Sequence, residues 1–118
     1  MRVGNLVSAR DFVDVRDGVA GMLLLLDKGA IGQPVNVCTG IAYKISDVLK
    51  LLIEISGLDV DVITDESLFR PSDEPLLLGD NTRLTSLGWS PKYTLPDTLR
   101  EVYADWCHRV AVLGPKTI

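Results

Sequence analysis

Residues 11–38, DFVDVRDGVAGMLLLLDKGAIGQPVNVC, decide the fold class. Residues 11–15 alternate in polarity and predict a short strand. Residues 17–28 predict a helix, with Asp17 at its N-terminal end and Gly29 as a left-handed stop. Residues 34–38 have the β-branched content of a buried strand. A strand, a helix and a strand in this order predict an α/β protein.

The middle of this helix, residues 22–26 (MLLLL), is apolar on every face. A helix of this kind is covered on more than one side, whereas the rest of a chain of 118 residues can cover only one. We therefore expect a homo-oligomer, with this helix or the strand at 34–38 in the interface. We also expect both cysteines, Cys38 and Cys107, to be ordinary core thiols, because they form neither a disulfide framework nor a zinc-binding spacing.

The remainder of the chain predicts three more helices and two more strands. The helices run from Ser46 to Gly57, from Asp80 to Leu87 and onward from Pro96, and the strands cover residues 60–64 and 76–78. Between the two strands, residues 65–75 are irregular and form the candidate functional loop. We place one lobe at residues 1–113 and a tail at residues 114–118.

Composition and charge exclude several classes of protein. The chain is 47% hydrophobic and 24% charged with a mean hydropathy of +0.22, which is incompatible with disorder. A net charge of -4 disfavours nucleic acid as a partner. The longest apolar run is too short for a membrane span, and the N-terminus lacks a signal-peptide pattern, so a cytoplasmic location is expected.

The sequence lacks the pattern of a nicotinamide cofactor site. Gly18 and Gly21 lie inside a predicted helix, and Gly29 and Gly32 lack the third glycine of a dinucleotide-binding turn. No tyrosine is followed by a lysine four residues later, which excludes tyrosine–lysine acid–base chemistry within these residues. The chain itself is therefore expected to bind no cofactor and to catalyse nothing.

The single histidine, His108, can share a helical face with Glu101 and Asp105. Such a face can bind a metal ion, but a solvated acidic face is the preferred interpretation. No metal site is predicted.

Two arginines are the remaining candidates for chemistry. Arg10 precedes the first predicted strand, and the proline after Arg70 holds that residue in an extended conformation that can aim a guanidinium at an anion. The alternative is that both are surface ion pairs of little energetic weight, Arg10 with Asp11 or Asp14 and Arg70 with Asp73.

Several segments resemble one enzyme family. Residues 3–6 (VGNL) and 10–17 (RDFVDVRD) resemble the segment that opens the C-terminal half of extended short-chain dehydrogenases acting on nucleotide sugars. Residues 70–73 (RPSD), 76–80 (LLLGD) and 87–91 (LGWSP) are similar to the late signature of that family. The pattern is most like its GDP-mannose 4,6-dehydratase and GDP-4-keto-6-deoxymannose reductase branches.

The resemblance implies that Arg10 and Arg70 clamp the nucleotide diphosphate, that Asp73 accepts hydrogen bonds from ribose hydroxyls, and that Asn5 lies near the nucleotide. It implies a small C-terminal lobe without the complete Rossmann domain, whose missing N-terminal part carries NAD(P) and the catalytic tyrosine and lysine. The expected parent is a dehydratase, reductase or epimerase acting on a nucleotide sugar, most simply a GDP-hexose. The competing hypothesis is a non-catalytic interaction module that docks through its apolar helix.

Overall fold

The computed structural model describes residues 1–29, 31–70 and 74–114. In chain order the elements are β1 (Arg2–Val3), β2 (Ala9–Asp11), α1 (Val15–Lys28), β3 (Ala42–Lys44), α2 (Ile45–Ser56), β4 (Ile63–Thr64), β5 (Leu76–Leu77), α3 (Thr82–Ser86) and α4 (Leu95–Leu113), with a short 3-10 helix at Glu66–Leu68. The α/β class with four helices and short strands is confirmed.

The strand β2 lies at the centre of a three-stranded sheet of order β3-β2-β5. It runs antiparallel to β3, where Arg10 is opposite Tyr43, and parallel to β5, where Arg10 is opposite Leu77. β1 and β4 form a separate parallel pair. Arg10 therefore occupies the middle of the central strand.

The strand predicted at residues 11–15 is displaced. It ends at Asp11, and α1 begins at Val15, because the carboxylate of Asp14 caps that helix by accepting a hydrogen bond from the backbone N–H of Arg16. Asp17 lies inside the first turn and is buried, where its carboxylate accepts from the backbone N–H of Lys92 at 3.0 Å. At the other end Gly29 has φ -70°, so the expected left-handed stop there was wrong.

The strand predicted at residues 34–38 was also wrong, since the structure assigns no strand to these residues. Two of their carbonyl groups accept hydrogen bonds from side chains instead of from a neighbouring strand. Arg83 Nη1 donates to the carbonyl of Pro34 at 2.9 Å, and Asn81 Nδ2 donates to that of Cys38 at 3.1 Å. The other two predicted strands are shorter than expected, at 63–64 and 76–77.

The predictions for α2 and α4 agree with the structure. α2 ends at Gly57, whose φ of +64° places it in the left-handed region that glycine adopts without strain. α4 begins after Thr94, whose hydroxyl accepts the backbone N–H of Asp97, and it carries a proline in its first turn. The two helices pack against each other.

Two of the buried side chains in the described residues, Leu84 and Trp89, lie beside α1. Leu84 is 0% exposed, and the Trp89 indole N–H donates to the backbone carbonyl of Asp17 at 3.0 Å. A Cβ at Gly21 would come within 3.2 Å of the Trp89 ring nitrogen and 3.3 Å of Leu84, tighter than ordinary van der Waals contact, so glycine favours the close packing of α1 here. One side of α1 is therefore tightly packed.

The two cysteines differ from each other. Cys38 is buried, as expected, but Cys107 is exposed on α4, so the prediction that it is a core thiol was wrong. The C-terminal half of α4, which carries Cys107, faces solvent. Among the described residues, no helix combines the length and apolar character needed to cross a membrane.

Candidate anion-binding site

Arg10 joins the central strand to the end of the candidate functional loop. Its Nη1 donates to the carbonyl oxygens of Ala9 and Glu74, both at 2.8 Å. Beside it, the backbone N–H of Ala9 donates to the carbonyl of Pro75 at 2.8 Å. These bonds fix Arg10 against the residues that lead from the loop into β5.

The Nη1 group of Arg10 donates to carbonyl groups, whereas the opposite edge of the guanidinium, formed by Nε and Nη2, does not do so within the described residues. A guanidinium has five N–H groups, and the three on Nε and Nη2 have no partner in the described part of the chain. Parallel N–H groups of this kind match the oxygens of a phosphate or carboxylate. Arg10 is therefore anchored through Nη1, and its Nε and Nη2 groups have the arrangement that anion binding requires.

Neither aspartate proposed as an ion-pair partner of Arg10 has that role. Asp11 accepts hydrogen bonds from the backbone N–H groups of Thr39 and Gly40. Asp14 is paired with Arg16 at 2.8 Å. The ion-pair alternative for Arg10 was therefore wrong.

The carboxylate of Asp11 is strongly hydrogen-bonded. Partial burial acts to raise its pKa, but the hydrogen bonds from Thr39 and Gly40 outweigh burial and hold the pKa below its ordinary value. Asp11 is thus a stable anion that holds residues 39–40 against the end of β2.

The structure gives fewer contacts for the other three predicted site residues, Arg70, Asp73 and Asn5. Arg70 is exposed and follows the 3-10 helix, four residues before the Glu74 carbonyl that Arg10 binds. Asp73 lies outside the described residues. Asn5 accepts the backbone N–H of Val7 at 2.9 Å and donates to the Ser8 hydroxyl at 3.2 Å, which places it in the turn before β2.

Sequence reasoning missed the part that Asp11 plays beside this site. The one available signal was its place directly after Arg10 in a strand, since consecutive side chains point to opposite faces. Its partners at residues 39–40 could not be deduced from that signal.

The face around His108 consists of ion pairs. Glu101 pairs with Arg16 at 2.7 Å, and Asp105 pairs with Arg109 at 2.6 Å. Within the described ranges, no cluster of histidine, cysteine or acidic side chains could hold a metal ion.

Solved structures place this fold among the extended short-chain dehydrogenases. RMD from Pseudomonas aeruginosa complexed with NADPH matches with a TM-score of 0.87 at 33% identity, over 93% of this chain and 36% of that structure. UDP-glucose 4-epimerase from Thermotoga maritima with UDP-glucose matches with a TM-score of 0.80 at 29% identity, over 90% of this chain and 35% of that structure.

Within this class, the chain belongs to the GDP-mannose 4,6 dehydratase family, whose model matches residues 1–102. A similar relative is GDP-6-deoxy-D-mannose reductase of Pseudomonas aeruginosa, 33% identical over 111 residues that make up 93% of this chain. The chain spans about 36% of that relative's length. The family resemblance seen in the sequence is confirmed.

Gly21 and Gly29 do not lie where a nicotinamide dinucleotide requires its glycines. Such a cofactor places its pyrophosphate at a helix N-terminus behind a glycine-rich turn. Here Gly21 is packed against Trp89 in the middle of α1, and Gly29 lies at the C-terminal end of that helix. These glycines serve helix packing and termination rather than phosphate binding.

Proposed function

We propose that this chain is the nucleotide-sugar-binding lobe of an NAD(P)-dependent dehydratase, reductase or epimerase, that a GDP-hexose is its ligand, and that it is inactive on its own. The observation that carries the proposal is the geometry of Arg10, which is anchored through Nη1 and has no partner for Nε and Nη2 among the residues that the structure describes. Family membership supports the ligand class, because its relatives include a reductase of a GDP-sugar.

The chemistry of a nucleotide sugar suits the predicted residues. Its diphosphate carries negative oxygens that match planar guanidinium groups, and we assign Arg10 and Arg70 to it. The ribose has vicinal hydroxyls for which a carboxylate is the natural acceptor, and we assign Asp73 to that position. Asn5 is the fourth residue that we place near the nucleotide.

We propose that the lobe spans residues 1–113 and is C-terminal in its parent, with residues 114–118 as a tail. The remaining part of the parent supplies NAD(P) and the catalytic tyrosine and lysine, and it covers the outer face of α1. That face is apolar and open, with Leu23 61% and Leu26 84% exposed. Without such cover, we expect the chain to form a homo-oligomer. A cytoplasmic location remains our prediction.

Titration of the chain with GDP tests the proposal. The wild-type chain is expected to bind GDP at least weakly. Arg10→Ala and Arg70→Ala should each weaken binding by about 1.5–3 kcal/mol, or about tenfold to 150-fold, because each removes hydrogen bonds between charged groups. Arg70→Lys should recover only part of the loss, since an ammonium cannot bind two oxygens in the same planar way.

Arg100→Ala is the matched control. Arg100 is an exposed arginine of α4 that pairs with Asp97 at 2.9 Å, and its removal should leave GDP affinity unchanged. Equal affinities of wild type, Arg10→Ala and Arg70→Ala would contradict the proposal.

The open face of α1 favours a second candidate function, a non-catalytic module that docks a partner protein. An apolar cleft of about 540 Å³ at the C-terminal end of α1 adds to this surface and is lined in part by Met22, Leu26 and Val35. The same titration separates the two functions, because a docking module is expected to show no GDP binding.

A further inference from the structure

Residues 38–40 bridge the ends of β2 and β5. On one side the carboxylate of Asp11 accepts the backbone N–H of Thr39 at 2.9 Å, its hydroxyl at 2.6 Å and the backbone N–H of Gly40 at 2.8 Å. On the other side Asn81 Nδ2 donates to the carbonyls of Cys38 at 3.1 Å and Thr39 at 2.9 Å. Asp11 ends β2, and Asn81 lies four residues after β5.

The chain after β5 also lies unusually close to this bridge. A side chain at Gly79 would come within 2.7 Å of the Cβ of Cys38, so a glycine is required there. The β2–β5 pair is therefore held at both ends. At its start, Arg10 and Ala9 bind the carbonyls of Glu74 and Pro75, and at its end the bridge holds it.

We propose that Asp11 is a positioning residue for the anion site: by holding residues 38–40 between β2 and the chain after β5, it keeps Arg10 bound to the Glu74 carbonyl and its free edge open. The consecutive residues Arg10 and Asp11 thus have different roles. Arg10 faces the ligand, and Asp11 faces residues 38–40 on the opposite side of the strand. The part that concerns a ligand rests on the proposed function, whereas the part that concerns Arg10 and Glu74 does not.

Amide hydrogen exchange of the ligand-free chain tests whether Asp11 positions Arg10 through residues 38–40. Asp11→Asn replaces one acceptor oxygen with an amide that cannot accept from Gly40 or Thr39, and Asn81→Ala cuts the bridge from its other side while leaving Asp11 intact. In both variants we expect at least tenfold faster exchange of the Ala9 and Leu77 amides, with unchanged exchange in α2. If Asp11→Asn fails to fold, Asn81→Ala gives the same answer.

Two exchange patterns would overturn the proposal. Acceleration confined to Thr39 and Gly40 would show that Asp11 holds only its own turn. Equal acceleration throughout the chain, α2 included, would show a general loss of stability.

The ligand arm uses GDP as the probe. Asp11→Asn and Asn81→Ala should weaken GDP binding at least fivefold in the wild-type background and not at all in the Arg10→Ala background, because they act through Arg10. An equal loss in both backgrounds overturns the positioning role. Absence of GDP binding by the wild-type chain would reject the proposed function, and the exchange data would still decide whether Asp11 positions Arg10.

Discussion

The helices α1 and α2 both carry several large apolar side chains but have very different surroundings. In α2 the exposed residues are the polar ones, Asp47, Lys50 and Glu54, and the rest of the helix is half-buried, with α4 packed against it. In α1 only one side is buried, and five large apolar residues are exposed: Val15, Val19, Met22, Leu23 and Leu26. The apolar pattern indicates how many sides of a helix must pack against other residues. The apolar side of α2 packs within the described chain, whereas one apolar side of α1 stays exposed.

The largest expected loss of stability comes from a substitution on the buried side of α1. Leu84→Ala should lower the free energy of unfolding by about 2–5 kcal/mol, because it opens a cavity under Gly21 and Trp89. Urea unfolding measures the change, and Leu52→Ala in half-buried α2 is the control, with a smaller loss expected. A larger loss for Leu52 would show that α2, and not the side of α1 beside Leu84, carries the stability.

Substitutions of an aspartate at the start of α1 and of α2 should differ in their cost to the free energy of unfolding, by less than the effect at Leu84. Asp14 caps α1, and the hydrogen bond from the Arg16 side chain holds the pKa of its carboxyl well below the usual range, assisted by the Thr98 hydroxyl. Asp14→Ala should cost about 2 kcal/mol at pH 6, since it removes a helix cap and hydrogen bonds to a charged group. Asp47→Ala, in the exposed first turn of α2, should cost less than about 0.5 kcal/mol.

The pH dependence of this difference has a definite sign. A carboxyl whose pKa is lowered by folding stabilises the protein above its unfolded pKa of 3.8, and the contribution is lost as the pH falls through the folded pKa. The gap between wild type and Asp14→Ala should therefore narrow from pH 6 to pH 3. A gap that stays constant would contradict the assignment.

Local signals in the sequence predicted the helices well and the strands poorly. α2 could be predicted because Gly57 and its apolar spacing act within the helix itself. Residues 34–38 have strand composition, but a strand also requires a neighbour, and in the described structure the side chains of Asn81 and Arg83 bind their carbonyls instead. The importance of Arg10 could be predicted from its charge and setting, but its bond to Glu74, 64 residues away, depends on the pairing of β2 with β5.

Glycine substitutions should have opposite signs in the two helices. Gly57 ends α2 with φ +64°, so Gly57→Ala should cost about 1 kcal/mol through backbone strain. Gly18 has ordinary helical geometry in α1 with nothing within 4 Å of an added Cβ, and Gly18→Ala should stabilise by about 0.5–1 kcal/mol. Thermal unfolding measures both, and the same sign at both positions would contradict the geometry of one of them.

A substitution on the exposed face of α1 is expected to change the free energy of unfolding least. The same substitution should abolish association of the chain into an oligomer. Leu26 is 84% exposed, so Leu26→Glu should change the free energy of unfolding by less than about 0.5 kcal/mol. The same substitution places a charge in the surface that we expect a second copy to cover, and burying an unpaired charge is strongly unfavourable. The neighbouring Leu24 and Leu25 are half-buried, so the exposed Leu26 is the sharper test of association.

Light scattering at tens of micromolar should find an oligomer for wild type and a monomer for Leu26→Glu. Leu58→Glu is the matched control, because Leu58 is 61% exposed just beyond α2 and lies off the α1 face. It should leave the oligomer intact. A wild-type monomer that binds no dye for exposed apolar surface would show that α1 needs no second cover, and loss of the oligomer in Leu58→Glu would place the interface elsewhere.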